Sequence, residues 1–542
     1  MDYSGLRITH TFADQSILVT GASGFLGKVL VEKLLYSVPH INKIYLLIRP
    51  LKGSAPRDRL NKILNSPIFN RIRETDESLL RKLVPINGDL MEEGLGLSPA
   101  DEKLLCEAVS IVFHCAATVK FDEILRVSVQ MNVIGTQRLI ALCHKMSKLT
   151  SLVHASTAYA NCNLRETEEL IYEPPFQPEN IISLTKWMDD ETLETITPKL
   201  LNQRPNTYTF AKALAEAQLQ EDAQGLPVIV VRPSIIGAIW QDNLPGWTDN
   251  VNGPTGIFAG VGKGLLTNMC GSSTSKADII PVDIVSNTLI VAAAYRASVK
   301  TVEKIPVVHC ASGTLNPLKW ERVVNYIQKF YLKYPLDQCY RVPSTHFHSS
   351  RALFLFNFYV KHYIPAHILD ILCFVTGRKP TFVKIYGKIW KMIETLHYFT
   401  TRGWNFKSEK LIGLWDCLSE EDKRVFNFDV RQIDWDRYLF DYLMGIKTYL
   451  LQEKLEDLET KARGNLTWLK QLSIATNALS WVGIIRLFAW NKTRKQKWVI
   501  WIVGVLLTHA FQNVDTRPAV YLKSLEEYIK HRRSSPKQVN EN

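Results

Sequence analysis

Along the first half of the chain, short and mainly apolar runs alternate with longer stretches whose apolar residues recur every third or fourth position. The runs are Ser16-Ile-Leu-Val-Thr20, Lys43-Ile-Tyr-Leu-Leu-Ile48, Leu83-Val-Pro-Ile86, Ser110-Ile-Val-Phe-His-Cys-Ala-Ala117, Ser151-Leu-Val-His-Ala-Ser-Thr-Ala-Tyr159 and Pro227-Val-Ile-Val-Val-Arg-Pro-Ser-Ile235. A strand without polar alternation is buried on both faces, as in parallel sheets covered by helices. Stretches such as Lys28-Val-Leu-Val-Glu-Lys-Leu-Leu35 supply that cover. Their alternation from residue 14 to about 290 predicts an α/β fold, a doubly wound parallel Rossmann sheet with its ligand crevice at the carboxyl ends of the strands. Residues 163 to 206, with Pro174-Pro175 and the acids from Asp189 to Glu194, interrupt the pattern as an insertion, either a cover over the crevice or a solvated loop.

The turn after the first run is Thr20-Gly-Ala-Ser-Gly-Phe-Leu-Gly27. Strand, glycine turn and helix in this order suit a dinucleotide, because glycines let the backbone approach a pyrophosphate at a helix N-terminus. Gly21 and Gly24 are assigned the close approach and Gly27 the packing of helix on sheet, with Thr20, Ser23, Phe25 and Leu26 completing the turn. Their spacing resembles the G-x-x-G-x-x-G turn of the extended short-chain dehydrogenase/reductase superfamily. The second run ends in Arg49, where a site selective for NAD would place a carboxylate, and Lys52, Arg57 and Arg59 follow. An arginine there holds a ribose 2′-phosphate, so the expected cofactor is NADPH. Asp89 and Leu90 after the third run, Ala116 and Ala117 after the fourth, and Arg232, Pro233, Ser234 and Ile235 at the mouth of the sixth complete the expected cofactor site; Asn132, in Asn132-Val-Ile-Gly135, looks like a bracing asparagine.

Tyr208 and Lys212, in Tyr208-Thr-Phe-Ala-Lys212, lie one helical turn apart. A tyrosine with an ordinary pKa near ~10 is a poor proton donor at neutral pH, and a nearby ammonium lowers the cost of its anion. This pair suits protonation of a carbonyl oxygen as a nicotinamide delivers hydride, and Lys212 also serves as a cofactor contact. The fifth run offers Ser156 and Thr157 as the hydroxyl that binds the same oxygen; Thr157 is preferred, although the sequence does not separate the two.

With His114-Cys-Ala-Ala-Thr-Val-Lys-Phe-Asp-Glu123, Ser156-Thr-Ala-Tyr-Ala-Asn161, Pro245-Gly-Trp-Thr-Asp-Asn-Val-Asn-Gly-Pro-Thr-Gly256 and Asp278-Ile-Ile-Pro-Val-Asp283, these segments resemble the eukaryotic fatty acyl-CoA reductases, the insect forms especially. Trp404-Asn-Phe, Phe426-Asn-Phe-Asp, Ile433-Asp-Trp-Asp-Arg-Tyr438 and Gly445-Ile-Lys-Thr-Tyr-Leu-Leu451 resemble the helical C-terminal domain of that family, which carries the likeness from residue 14 to about 455. The resemblance implies reduction of a long-chain acyl-CoA to a primary alcohol through an aldehyde-level intermediate, with two NADPH and release of CoA, for wax, ether-lipid or cuticular lipid synthesis. Another extended short-chain reductase acting on a ketone or aldehyde, a non-catalytic NADPH-binding membrane scaffold, and an acylating aldehyde dehydrogenase using Cys115 or Cys162 are the alternatives. The organisation read from this is 14–300 for the Rossmann domain, 340–455 for the helical domain, 466–515 for membrane-associated apolar helices and 530–542 for a polar tail.

Composition adds a surface to the picture. Of the 542 residues 46% are hydrophobic, and the formal charge of +12 is scattered without a nucleic-acid motif, so membrane lipid and the phosphates of NADPH and CoA explain it better than nucleic acid. Trp498-Val-Ile-Trp-Ile-Val-Gly-Val-Leu-Leu507 runs on to Phe511 behind Lys492, Arg494, Lys495 and Lys497, and Gln471 to Trp490 is apolar but for Arg486. Together they predict a membrane hairpin, or one transmembrane helix plus an interfacial one, with two core helices as the alternative. Leu353-Phe-Leu-Phe-Asn-Phe-Tyr-Val360, running on to Leu372-Cys-Phe-Val375, is read as amphipathic docking or a wall of the acyl pocket. Residues 1 to 13 hold no signal h-region, so the catalytic domain is expected on the cytosolic face of endoplasmic reticulum, lipid droplet or peroxisome. Nine cysteines without C-x-x-C spacing and thirteen histidines form no metal pattern, which leaves reduced thiols and no metal.

Overall fold

The computed structural model describes residues 6–50, 55–299, 302–513 and 518–534. Seven strands form one sheet: β1 (Ser16–Thr20), β2 (Lys43–Ile48), β3 (Leu83–Asn87), β4 (Ile111–His114), β5 (Ser151–Ala155), β6 (Val228–Pro233) and β7 (Val307–Cys310), in the order β7-β6-β5-β4-β1-β2-β3. Every neighbouring pair is parallel. Six of the strands lie where the apolar runs predict them. The seventh falls beyond the alternation read from sequence, and pairs Val307 with Val230 and Cys310 with Pro233.

Chain order reverses between β1 and β4, and the carboxyl ends there open the crevice in which such sheets bind ligands. Helix α1 (Phe25–Ser37) leaves β1 at its edge, and α2 (Thr207–Asp222) carries the Tyr208 pair alongside it. Helix α3 (Val282–Ser298) is buried from Val282 through Arg296, because it packs on α1 and on the sheet while the second half of the chain covers its other side. The insertion between β5 and α2 forms helices Pro178–Trp187 and Asp190–Leu200, whose Ile181, Ile182 and Leu193 share an apolar cluster with Phe210 and Leu214 of α2.

Beyond the sheet come α4 (Arg351–Phe358), α5 (Ile364–Val375), α6 (Phe382–Thr401), α7 (Trp435–Gly445), α8 (Lys461–Phe488) and α9 (Arg494–Asn513). Helix α7 clamps the second half to the first. A Cβ on Gly445 would stand 1.8 Å from the Gly246 carbonyl, and one on Gly246, which has φ +80°, 1.9 Å from that of Asp441. The glycine-bearing motifs of the two halves are thus the two sides of one contact. Tyr438 donates to the Ala238 carbonyl (3.0 Å), and the Tyr442 hydroxyl meets Thr255 Oγ1 (2.7 Å).

Helices α8 and α9 pack side by side, with Trp501 Nε1 donating to the Ala478 carbonyl (2.9 Å) and Trp481 Nε1 to Thr508 Oγ1 (2.8 Å). Among the described residues no helix is long and apolar enough to cross a membrane, so the transmembrane helix expected from sequence is not found there. Lys470 and Arg486 break the apolar run of α8, and α9 spends its first turn on Arg494, Lys495 and Lys497.

Candidate active site

The glycine turn sits at the reversal point. Gly21 has φ +77°, and a Cβ on it would stand 2.6 Å from the Ala116 amide nitrogen; one on Gly27 would reach 2.2 Å from the Gly21 carbonyl. Thr20 completes the seam: its hydroxyl contacts His114 Nδ1 (2.8 Å) and accepts from the Ala116 N–H (3.2 Å). Gly24 caps α1 without any side-chain hydrogen bond, and Ser23 and Gly24 are exposed. A helix N-terminus with an uncapped, side-chain-free approach fits a dinucleotide pyrophosphate.

The ribose corner is basic. Arg49 at the end of β2 is exposed and stands 3.9 Å from Asp89 Oδ2. Arg59 reaches toward it from the helix Pro56–Leu64: burial, and then the like charge of Arg49, hold its guanidinium below its ordinary pKa, and its Nη1 is buried without a partner. Two converging guanidiniums with an unpaired donor fit a phosphate dianion. Arg57 is exposed, and Lys52 lies outside the described residues. Leu90 is buried, with its Cβ under Gly135. Asn132 lies in a π-turn, Gln130–Ile134, and its amide clasps the Thr118 backbone, accepting at 2.9 Å and donating at 3.1 Å. It braces the loop that carries Ala116 and Ala117.

At the carboxyl end of β5, Thr157 Oγ1 accepts from the Tyr159 N–H (3.2 Å) and donates to the Pro233 carbonyl (3.4 Å), and the hydroxyl lies beside that of Tyr208. Asn206 caps α2 by accepting from the Thr209 N–H (2.9 Å), which fixes Tyr208 in the first turn. Burial pushes the Tyr208 hydroxyl up to about 12, against the pull of the Thr157 hydrogen bond. The Lys212 ammonium is buried, donates to the Ala155 carbonyl (2.8 Å), and is pushed down to about 8 by desolvation. Burial, and not the easing of ionisation expected from Lys212, therefore sets the Tyr208 hydroxyl.

Ser156 and Arg232 have their side chains engaged within the protein. Ser156 Oγ donates to Glu216 Oε1, one turn beyond Lys212 on α2, so its hydroxyl is taken while that of Thr157 faces Tyr208. Arg232 is buried and forks onto Glu216, Nε to Oε1 at 2.8 Å and Nη2 to Oε2 at 2.6 Å, with further donors on the Glu168 and Leu170 carbonyls. Its charge is matched within the protein, which leaves only the backbone beyond it for the crevice. Pro233 ends β6, Ser234 lies beside Asp278, and Ile235 packs against the buried cluster that holds Tyr159 and Phe399.

An aromatic wall from the far end of the chain closes the site. Phe121 stacks on Tyr208 (5.6 Å) and meets Phe399 of α6 (5.4 Å), and Phe399 meets Tyr159 edge-on. Tyr398 and Trp404 both donate to the Cys162 carbonyl, at 3.0 and 2.9 Å. A cavity of about 300 Å³ opens between Asn206 at the start of α2 and Tyr398, Thr401 and Arg402 at the end of α6, with Phe121 as the shared wall. Sequence reasoning missed this lining; Phe121 stood in a quoted motif, but Phe399 is 191 positions beyond Tyr208 and nothing local marks it. Cys115 and Cys162 are thiols that burial pushes up to about 12 and about 11, unlike an activated nucleophile. Among the described residues no three His, Cys, Asp or Glu side chains converge on a metal position.

The sequence models of the family described as "Male sterility protein" match residues 19–289 and 361–453. Fatty acyl-CoA reductase 1 of Rattus norvegicus is 40% identical over 506 residues, 93% of this chain and 98% of that protein. The chain belongs to the fatty acyl-CoA reductase family. A second such reductase, fatty acyl-CoA reductase 2 of Mus musculus, is 41% identical over 476 residues, covering 88% of this chain and 92% of its own length. Among solved structures, the terminal R domain of the myxalamid pathway superposes with TM-score 0.52 at 18% identity over 82% of this chain and 93% of its own. The reductase domain of a Mycobacterium tuberculosis nonribosomal peptide synthetase gives 0.53 at 18% over 81% and 94%. At that identity the likeness shows the fold of this reductase, the α/β parallel Rossmann sheet.

Proposed function

We propose that this enzyme reduces long-chain fatty acyl-CoA to the primary alcohol with two NADPH, and that Tyr208, Thr157 and Lys212 are its catalytic groups. One observation carries the reading: the Thr157 and Tyr208 hydroxyls lie side by side at the crevice mouth, with Lys212 buried one helical turn along and an apolar wall against Tyr208, in a chain about 40% identical to fatty acyl-CoA reductases along most of its length. The glycine turn and the Arg49–Arg59 corner would hold NADPH, which would supply the hydride for the acyl carbon. Tyr208 donates its proton to the carbonyl oxygen and Thr157 hydrogen-bonds the same atom. The Lys212 cation stabilises the tyrosinate left behind. Collapse of the hemithioacetal re-forms the C=O as its hydroxyl proton returns to Tyr208 and the C–S bond breaks, the thiolate leaves as CoA on taking a proton from water, and with a second NADPH in place of the spent one the same groups act on the aldehyde. No acyl-enzyme forms, which accords with the inert thiols.

The finer organisation is proposed with it: a Rossmann domain over 14–300, a helical domain over 340–455, and α8–α9 as a membrane-associated hairpin whose Leu479, Leu487, Phe488, Trp490 and Trp498 are exposed. The catalytic domain then faces the cytosol from the surface of endoplasmic reticulum, lipid droplet or peroxisome. Detergent-solubilised protein given NADPH and acyl-CoAs of graded length tests the chemistry. Alcohol at two NADPH per thioester is expected; aldehyde at one NADPH, or no turnover, overturns it.

A further inference from the structure

Helices α4 and α5 leave an apolar stripe uncovered. Phe356, Val360, Ile364, Ile368, Ile371 and Val375 follow one another at three- and four-residue steps along them, and all are exposed, Val375 to 75% and its neighbour Phe374 to 77%. A soluble surface rarely carries so long a run without a covering phase. The stripe ends in cations. Arg378 and Lys379 occupy the turn after α5, and Lys384 and Lys388 the first turns of α6; all four are exposed, and among the described residues none is paired with a carboxylate. The two acids of residues 351–402 are already engaged: Asp370 accepts from the amides of Thr381, Phe382 and Val383, and Glu394 pairs with Arg351.

An apolar stripe with aromatic members, bordered by charge of one sign, matches a helix lying in a lipid interface, apolar side among acyl chains and cations among anionic head groups. The polar residues interleaved with the stripe are few, with Lys361 and His367 the exposed ones, and both can carry positive charge toward anionic head groups. Helix α6 starts at this basic turn and ends at Tyr398, Phe399 and Thr401, on the wall of the cavity beside Tyr208. Its 20 residues span about 30 Å.

We infer that α4–α6 is a membrane-docking element separate from α8–α9, seated on bilayers with anionic head groups, so that an amphiphilic substrate leaves the lipid beside α6 and enters the cavity next to Tyr208. The docking stands on the exposed stripe and its cations; the delivery step rests on the acyl-CoA reading above.

Hydrogen–deuterium exchange on the full chain reads the docking locally, whatever α8–α9 contribute. Vesicles of phosphatidylcholine with phosphatidylserine are expected to protect residues 351–388, and pure phosphatidylcholine to protect them less. Ile371→Asp with Phe374→Asp, at exposed positions that leave NADPH binding intact, should remove that protection while the protein still sediments with vesicles. Arg378→Glu, Lys379→Glu, Lys384→Glu and Lys388→Glu together should lower the anionic-over-neutral preference of the segment by about tenfold or more. Unchanged exchange in 351–388 when the protein is vesicle-bound overturns the docking. So does protection that grows with protein concentration in the absence of lipid, which would make the stripe an interface between copies. Wild-type protein that shows the protection yet reduces no acyl-CoA overturns the reductase reading and leaves the docking standing.

Discussion

Lys212 ties residue chemistry to pH. Its ammonium, desolvated and held by Ala155, loses its proton near pH 8, whereas Tyr208 near 12 stays protonated throughout the working range. The cation is present below that pKa and lost above it, so kcat/KM for acyl-CoA should be flat below about pH 8 and fall above it. A profile still flat at pH 9.5 would remove Lys212 from the mechanism. Tyr208→Phe keeps the stacking on Phe121 and deletes the proton, so turnover should drop on the order of 10²- to 10⁴-fold with NADPH affinity unchanged; equal turnover would leave the proton without this donor. At the ribose corner, Arg59→Glu places a carboxylate beside Arg49. The KM for NADPH should rise by about tenfold or more relative to that for NADH, on the scale of the ~1.5–3 kcal/mol of a charged hydrogen bond, and equal shifts for both cofactors would clear Arg59 of phosphate contact.

At the scale of elements, α2 is held by more than its cap. Glu216 joins it to Ser156 at the end of β5 and to Arg232 on β6, with both charges buried to 1% exposure, so the helix that carries Tyr208 and Lys212 is tied to two strands by one carboxylate. Removing one partner of a buried pair leaves the other charge uncompensated, at a cost of about 3–5 kcal/mol. Arg232→Leu should accordingly lower the thermal inactivation temperature by several degrees, and pairing it with Glu216→Leu should restore part of the loss. A double variant no better than the single one would mean that the pair acts through something other than charge balance.

For the whole molecule, the contact of α7 with the Gly246 turn joins the two halves. Gly246→Ala would force a Cβ into the Asp441 carbonyl and into a left-handed φ, so it should lower the inactivation temperature and detach the Phe399 wall from Tyr208, visible as lost turnover; a fully active, equally stable variant would show that the turn has room to shift. How much of all this was legible follows from where the information lies in the chain. Six strands, the glycine turn and the Tyr208–Lys212 spacing announce themselves locally, because burial on both faces of a strand and one-turn spacing on a helix leave marks within a few residues. The fate of individual side chains is not written locally. Ser156 and Thr157 are neighbours of similar chemistry, and only the position of Glu216 beneath the sheet takes one hydroxyl and leaves the other facing Tyr208. Arg232 reads as a charge at the crevice mouth until its carboxylate partner is seen, and Arg59 is only one of three cations that follow Arg49 in sequence until the helix Pro56–Leu64 brings it back against Arg49. By itself the sequence determined the parallel sheet, the dinucleotide turn and the residue types of the site, since these depend on periodicity and short spacing. Only the tertiary structure decided which hydroxyl meets the tyrosine, which arginine is free to meet a phosphate, and that Phe399 walls the cavity, because each depends on contacts between segments far apart in the chain.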